Sequence, residues 1–387
     1  MILPWLLLGS GAGIIAGLIP GLHSNNIALL LAASPFFGEE ITIFALGMCI
    51  TQSFTEFIPS IFLGAPAENT FESVLPAHRL LLSGKALEAV CCTVFGGLIA
   101  VLLGSALTPI FFLYIEENSQ QIINATPFVL GFALLVFIFG EKSWTKRIWT
   151  GFIVIAAASQ GILFSGQIFP LITGYFGIAS TIHSLKEITS KAPQQRKAEI
   201  GKESIWDAIV GLIGGALVSV MPGIGSNTAA GIINVFKKTS STKGYLTMLG
   251  SINASNFFFS FATLFALSKA RNGTMIALQE KMFFTPQMLF IGTLAMVCAA
   301  GIGGLCTIIL AKKAMGILDE KKTRVLSITS IVLMIILVGA FNGGIGLIAM
   351  FFATILGILT ITKGVRRSTC MSALIVPAMF FYIFILT

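Results

Sequence analysis

The sequence predicts an all-α polytopic membrane protein made of two inverted-topology repeats, and three observations carry that prediction. The first is composition. Of 387 residues, 56% are hydrophobic and only 10% are charged, with a mean hydropathy of +0.94, whereas soluble domains carry about 25% charged residues. The second is a motif that occurs twice. Pro20-Gly21-Leu22-His23-Ser24-Asn25 returns as Pro222-Gly223-Ile224-Gly225-Ser226-Asn227, an offset of 222 − 20 = 202. The third is the distribution of Lys and Arg, which falls on one side of the membrane when the chain is threaded through it.

The repeat keeps its register on both sides of the motif. Gly9 and Gly13 match Gly211 and Gly215 upstream, and Ile50 and Ser53 match Ile252 and Ser255 downstream. Gly96-Gly97-Leu98 matches Gly303-Gly304-Leu305 at a slightly larger offset. A motif held in register across several elements argues for duplication. Each half reads as about seven apolar segments, near 2–19, 24–37, 42–64, 86–114, 125–140, 147–165 and 168–185 in the first. In the second they lie near 204–221, 226–236, 246–268, 288–312, 325–340, 343–362 and 369–386. A full span needs roughly 20 residues, so the second segment of each half is short. Each repeat therefore begins with a Pro-Gly-tipped helical hairpin. Residues 1–185 form the first transmembrane repeat, 186–203 a cytoplasmic connector and 204–387 the second, inverted repeat. The first residues lack a basic stretch, so no cleavable signal is expected.

With the connector inside and each hairpin returning to its own side, the cytoplasmic loops collect 21 of the 24 Lys and Arg residues. Only Lys269, Arg271 and Lys281 fall outside, and Glu39-Glu40 and Glu116-Glu117 fall in outer loops. This is the positive-inside pattern, and it accounts for the formal net charge of +8 without nucleic acid. It starts the first half outside and the second half inside, with both chain ends outside. The six cysteines are scattered through apolar segments and read as small hydrophobes. No metal-ligand spacing, phosphate-binding loop or nucleophile elbow is present, so the reading is of a non-enzyme with no catalytic residues, no metal site and no cofactor beyond a coupling Na⁺.

Inverted repeats with interrupted helices mark secondary transporters. A break at membrane depth leaves N–H and C=O groups unpaired, which costs several kcal/mol per group unless protein, water or a ligand satisfies them. Pro20, Gly21, Pro222 and Gly223 end one arm of each hairpin. Ser24, Asn25 and Asn26, and Ser226, Asn227 and Thr228, are N-cap types that start the next arm. Helix N-termini there suit a carboxylate, and the side-chain oxygens suit a monovalent cation. A plain surface turn with ordinary caps is the competing reading. His23, replaced by Gly225 in the second motif, is a further anion contact.

The third segments add a polar set at corresponding positions: Thr51, Gln52, Ser53, Thr55 and Glu56 against Asn253, Ser255 and Asn256. Buried polar groups at membrane depth line a bundle interior or a pathway. Glu56, opposite Phe258 of the repeat, either couples protons, holds a cation or pairs structurally. Neutral oxygens ligate Na⁺ but cannot carry a proton, which favours Na⁺ over H⁺. Gly64-Ala65-Pro66 breaks the same segment and opens a further cavity.

The twin P-G-x-x-S-N elements, Leu63-Gly64-Ala65-Pro66 and Ser83-Gly84-Lys85-Ala86 resemble the large membrane subunit of the tripartite tricarboxylate transporter family (TctA-type) over essentially the whole chain. Ser226-Asn227-Thr228 is also similar to the hairpin tips of sodium-coupled dicarboxylate symporters. The resemblance implies cation-driven carboxylate uptake with a small membrane subunit and an extracytoplasmic binding protein. The chain departs from the family pattern at Thr55-Glu56-Phe57-Ile58, where Tyr-Gly-Gly-Ser is common, and at Leu63-Gly64-Ala65-Pro66-Ala67, where Asn-x-Pro-Gly is common. These departures leave open a tricarboxylate substrate and the need for accessory subunits.

The expected function is thus secondary transport of an organic carboxylate anion across the cytoplasmic membrane, coupled to Na⁺ or H⁺. The alternatives are a flippase for a polyprenyl-phosphate-like lipid and a non-transporting membrane scaffold. Expected partners are a small organic anion and membrane lipid, not nucleic acid, and the reading admits a homodimer.

Overall fold

A computed structural model describes residues 2–20, 31, 34–66, 69–186, 194–195, 197–201, 204–221, 224–236, 241–268, 270 and 273–386. All regular structure in these residues is helical. The first half contains α1 (Ile2–Leu18), α2 (Glu39–Thr55), α3 (Phe57–Leu63), a 3₁₀ turn (Phe71–Ser73), α4 (Val74–Leu82), α5 (Ala86–Glu117), α6 (Ser119–Phe139) and α7 (Trp144–Leu163). It ends in α8 (Ile168–Ile172), a π-helical stretch (Thr173–Ile178) and α9 (Ala179–Lys186). The second half contains α10 (Ser204–Val220), α11 (Ser226–Phe236), α12 (Thr242–Leu267), α13 (Gly273–Gln279), α14 (Pro286–Ile317), α15 (Glu320–Thr362), a 3₁₀ turn (Arg367–Met371) and α16 (Ser372–Leu386).

Among the described residues, seven helical stretches are long and apolar enough to cross a membrane. α15 has 43 residues but is two helices in one, because Gly343 adopts φ 61 and ψ −158 inside it. That break falls between the two segments expected at 325–340 and 343–362. Helix starts follow local chemistry: Ser143, Ser241, Thr285 and Asp319 cap α7, α12, α14 and α15 by accepting the N–H three residues on, which fills one of the donors a helix leaves free.

The halves match in element length. α1 and α10 have 17 residues each and α5 and α14 have 32 each. α5 and α14 start at 86 and 286, so the Gly-Gly-Leu pair is shifted by about two turns within these helices and stays on one face. Gly96 approaches Thr247 of α12, and Gly303 approaches Thr51 of α2. Each half thus packs its long helix on the central helix of the other half, while α1 packs on α2 and α10 on α12. The close approaches use the small-residue spacing: Gly9 and Gly13 lie against the carbonyls of Phe44 and Met48, and Gly215 lies against Ser255. In a membrane, such van der Waals packing is a main driving force of helix association.

The interior is graded. In the most apolar window of Glu39–Leu63, 94% of residues are buried, against 17% in that of Glu320–Thr362. α2, α5, α10, α12 and α14 form one large core, and α6, α7, α8, α15 and α16 form a second, with Ile224 packed on both. Large apolar side chains such as Phe128, Leu163 and Phe384 point outward at about three-quarters exposure, as lipid-facing residues do.

Contacts between helix ends and loops fall into two sets. Lys243 pairs with Glu88, Gln194 donates to the Leu81 carbonyl (2.9 Å) and Arg366 donates to the Gly140 carbonyl (2.5 Å). At the other sites, the Gly38 N–H donates to the Lys281 carbonyl (2.7 Å) and Asn342 donates to Gln167 (3.0 Å).

Candidate functional site

The central helices meet at a polar crossing. Pro59 has no N–H to return to the Thr55 carbonyl and its ring crowds that carbonyl, so the helix is interrupted at Glu56, between α2 and α3. The Glu56 side chain is 1% exposed and accepts from Asn253 Nδ2 at 2.5 Å. The same Nδ2 donates to the Ser53 carbonyl at 3.0 Å. Asn253 Oδ1 is buried and has no hydrogen-bond partner among the described residues. A carboxylate and an open amide oxygen therefore share one buried place at the join of the halves. The Ser53 and Ser255 hydroxyls turn back to their own helices, to the Ile50 carbonyl (2.8 Å) and the Ser251 carbonyl (2.6 Å).

One turn further along α12 lies the second tip. The Gly225 carbonyl accepts the Ala229 N–H at 3.1 Å, so residues 226–228 form the first turn of α11, whose N–H groups have no partner within the helix. Ser226, Asn227 and Thr228 are all buried. Ser226 Oγ accepts from Asn256 Nδ2 at 3.3 Å, and Asn227 Oδ1 accepts the Glu72 N–H at 3.3 Å. The Thr228 hydroxyl has no hydrogen-bond partner among the described residues. At 11 residues, α11 rises about 16 Å, too short to cross a hydrocarbon core of about 30 Å.

A cavity of about 560 Å³ opens from this tip. Asn256 and Ser260 of α12 line it, together with Gly225, Asn69 and Pro66. Phe164, Phe169, Phe176, Met221, Met334 and Met371 supply an apolar wall. Exposed Ser165, Gly166, Ile168 and Ile276 also line it and form its mouth. The π-helical stretch contributes Thr173, Phe176 and Gly177, and π geometry inside α-helices is frequent at functional sites.

The structure brings together Ser53, Glu56 and Asn253 at the crossing, and Ser226, Asn227, Thr228 and Asn256 at the second tip. Ser255 lies in the α10–α12 packing seam. Pro20 is buried just after α1. Gly21, His23, Ser24, Asn25, Asn26, Pro222 and Gly223 lie outside the described residues. Sequence reasoning placed Arg367 among loop charges. Its side chain is instead 5% exposed, and Nη1 donates to Ser180 Oγ (2.9 Å) and the Phe71 carbonyl (3.4 Å). Beside it, Glu72 accepts the Ser368 N–H at 3.2 Å. Only Pro59 carried a readable signal for what was missed; Glu72, Arg367 and the π-helical stretch did not.

The chain matches the tripartite tricarboxylate transporter TctA family over residues 3–372. It is 25% identical over 392 residues to an uncharacterized protein of Methanocaldococcus jannaschii, with 98% of each chain covered. No solved structure matches it.

Proposed function

The chain belongs to the tripartite tricarboxylate transporter TctA family and is a multi-pass membrane protein of transporter type, and from that premise we propose that it moves a small organic carboxylate across the membrane by secondary transport coupled to Na⁺ or H⁺. The observation that carries the reading is the cavity that reaches Ile224 and Gly225, just before the start of α11, and Asn256 beside it. The start of a helix, with the Asn256 amide beside it, is a place suited to a carboxylate. The Glu56–Asn253 crossing is the place for the coupling cation, whose charge would offset a carboxylate buried between the halves. Neutral oxygens around it favour Na⁺.

On this reading the two halves are inverted repeats, each opening with a Pro-Gly hairpin. The two sets of loop contacts support it: each joins loops that the charge pattern puts on one side. By the same pattern the cavity mouth, at 165–168 and 273–276, faces outward, so this is the outward-open member of an alternating-access pair. A small membrane subunit and an extracytoplasmic binding protein are the expected partners, the latter delivering solute to that mouth.

Uptake of radiolabelled carboxylates into proteoliposomes under imposed Na⁺ or H⁺ gradients tests the reading. Gradient-driven accumulation is expected, and no uptake of any carboxylate under either gradient overturns it. A cysteine placed at position 197 should resist an impermeant reagent in intact cells; its labelling would remove the inverted arrangement.

A further inference from the structure

We infer that the solute is a carboxylate with one charged head and an apolar body, such as an aryl-acetic or branched-chain acid, rather than a compact polycarboxylate. The inference rests on the transport reading above and deepens it. The cavity is mostly apolar and carries no charged side chain among the described residues of its lining: Phe164, Phe169, Phe176, Met221, Met334 and Met371 dominate it. Its hydrogen-bonding groups are few and neutral; among them Asn256 lies 3.3 Å from Ser226 at the α11 start and Ser260 lies 3.5 Å from Asn256. Phe176 is held from behind by a parallel stack on Phe71, with centroids 3.7 Å apart, so that part of the wall is rigid. Met side chains fill the rest and adapt to the shape of a guest.

Solvation decides which anion suits such a space. A polycarboxylate has little apolar surface and must keep every charged group hydrated or paired, since an unpaired charge against apolar side chains is strongly penalised. Among the described residues this cavity offers no cationic side chain and only a few neutral polar groups around Asn256, enough for a single head. An apolar body gains from every part of the wall it covers, at roughly 25 cal/mol per Å² removed from water. The volume of about 560 Å³ lies within the range of pockets that enclose whole small ligands, about 300–1,000 Å³.

The test is binding to the purified full chain by calorimetry with four probes, followed by uptake of each in proteoliposomes. The probes are phenylacetate, 4-methylpentanoate, acetate (the head alone) and citrate. Phenylacetate and 4-methylpentanoate should bind roughly tenfold to a hundredfold tighter than acetate and citrate. Ile276→Asn and Leu374→Asn, both on the accessible part of the wall, should erase about tenfold of that preference and leave acetate unchanged. Asn256→Ala should weaken all bound probes alike. Citrate binding as tightly as phenylacetate, with uptake, overturns the substrate class while carboxylate transport stands. Preference for the apolar acids that both wall variants leave intact overturns the cavity as their site. Absence of binding and uptake for all four removes the transport reading and this inference with it.

Discussion

The two central helices, α2–α3 and α12, occupy corresponding places in the two halves and differ at one point. In the first half, Pro59 interrupts the helix just after Glu56. In the second, positions 202 residues on hold Phe258 and Phe261, and α12 runs unbroken from Thr242 to Leu267. Both phenylalanines are buried in the core. The intact helix is scaffold at that level and supplies Asn253; the broken helix supplies the acid that Asn253 holds. The two central helices thus differ in carrying an acid at this level, and the break and the acid occur together because an interrupted helix frees backbone groups that a buried polar site can use.

The largest expected effect comes from cutting that link. Asn253→Leu removes the donations to Glu56 and to the Ser53 carbonyl together. A hydrogen bond to a charged group contributes about 1.5–3 kcal/mol, so the melting temperature in detergent should fall by several degrees and cation-dependent uptake should be lost. Adding Glu56→Gln should restore part of the stability, because the neutral amide needs the donor less; a double-mutant cycle reads the coupling. A variant as stable and as active as the wild type would mean that the crossing is incidental.

Healing the break makes the two helices alike. Pro59→Ala returns an N–H to the Thr55 carbonyl and removes the ring, so stability should rise by roughly 1 kcal/mol or more. The same change straightens the segment that carries Glu56, and on the proposed reading of Glu56 as a cation contact a displacement worth 1.4 kcal/mol there slows uptake about tenfold. Uptake unchanged at raised stability would show that the acid needs no break.

The tips sharpen the comparison from the other side. Asn227→Ala and Asn25→Ala should each weaken solute or cation binding by about tenfold to a hundredfold, the value of a lost hydrogen bond to a charged ligand. Asn227 also accepts the Glu72 N–H, so its variant should lose some thermal stability as well. Wild-type affinities in both variants, with melting alone lowered, would make the tips ordinary caps.

How much of this was legible in the sequence follows from what each feature depends on. Helix bounds depend on local hydropathy and caps, so the segment expected at 204–221 is found at Ser204–Val220 and the break near 343 is found at Gly343. The polar third segments were legible because Glu, Asn and Ser at membrane depth stand out against their neighbours. Arg367 was not, because Lys363 and Arg366 precede it and the cluster reads as loop charge; its burial depends on Ser180 and Phe71, which are distant in sequence. The π-helical stretch leaves the hydropathy unchanged and is invisible for that reason. The cavity is assembled from side chains on both halves, which no periodicity reports. Pro59 was readable, and its effect on Glu56 follows from the missing N–H and the ring's crowding of the Thr55 carbonyl.

The smallest expected effect separates a side chain from its backbone. Ser53 and Ser255 correspond at the 202-residue offset, and both were candidates for ion or solute contact. Each hydroxyl is buried and bonded within its own helix, an arrangement that competes with the helical ladder and adds little to it. The contact that matters at position 53 is the carbonyl, which accepts from Asn253 at 3.0 Å and is unchanged in alanine. Ser53→Ala should therefore leave uptake within about twofold and stability within roughly 0.5 kcal/mol. Ser255→Ala should do the same, because among the described residues its Oγ is bonded only to carbonyls of its own helix. Uptake and melting of the two variants, measured beside Asn253→Leu, check the assignment. A loss of cation affinity in Ser53→Ala alone would move the hydroxyl into the ion's coordination and make the two halves differ at a second point.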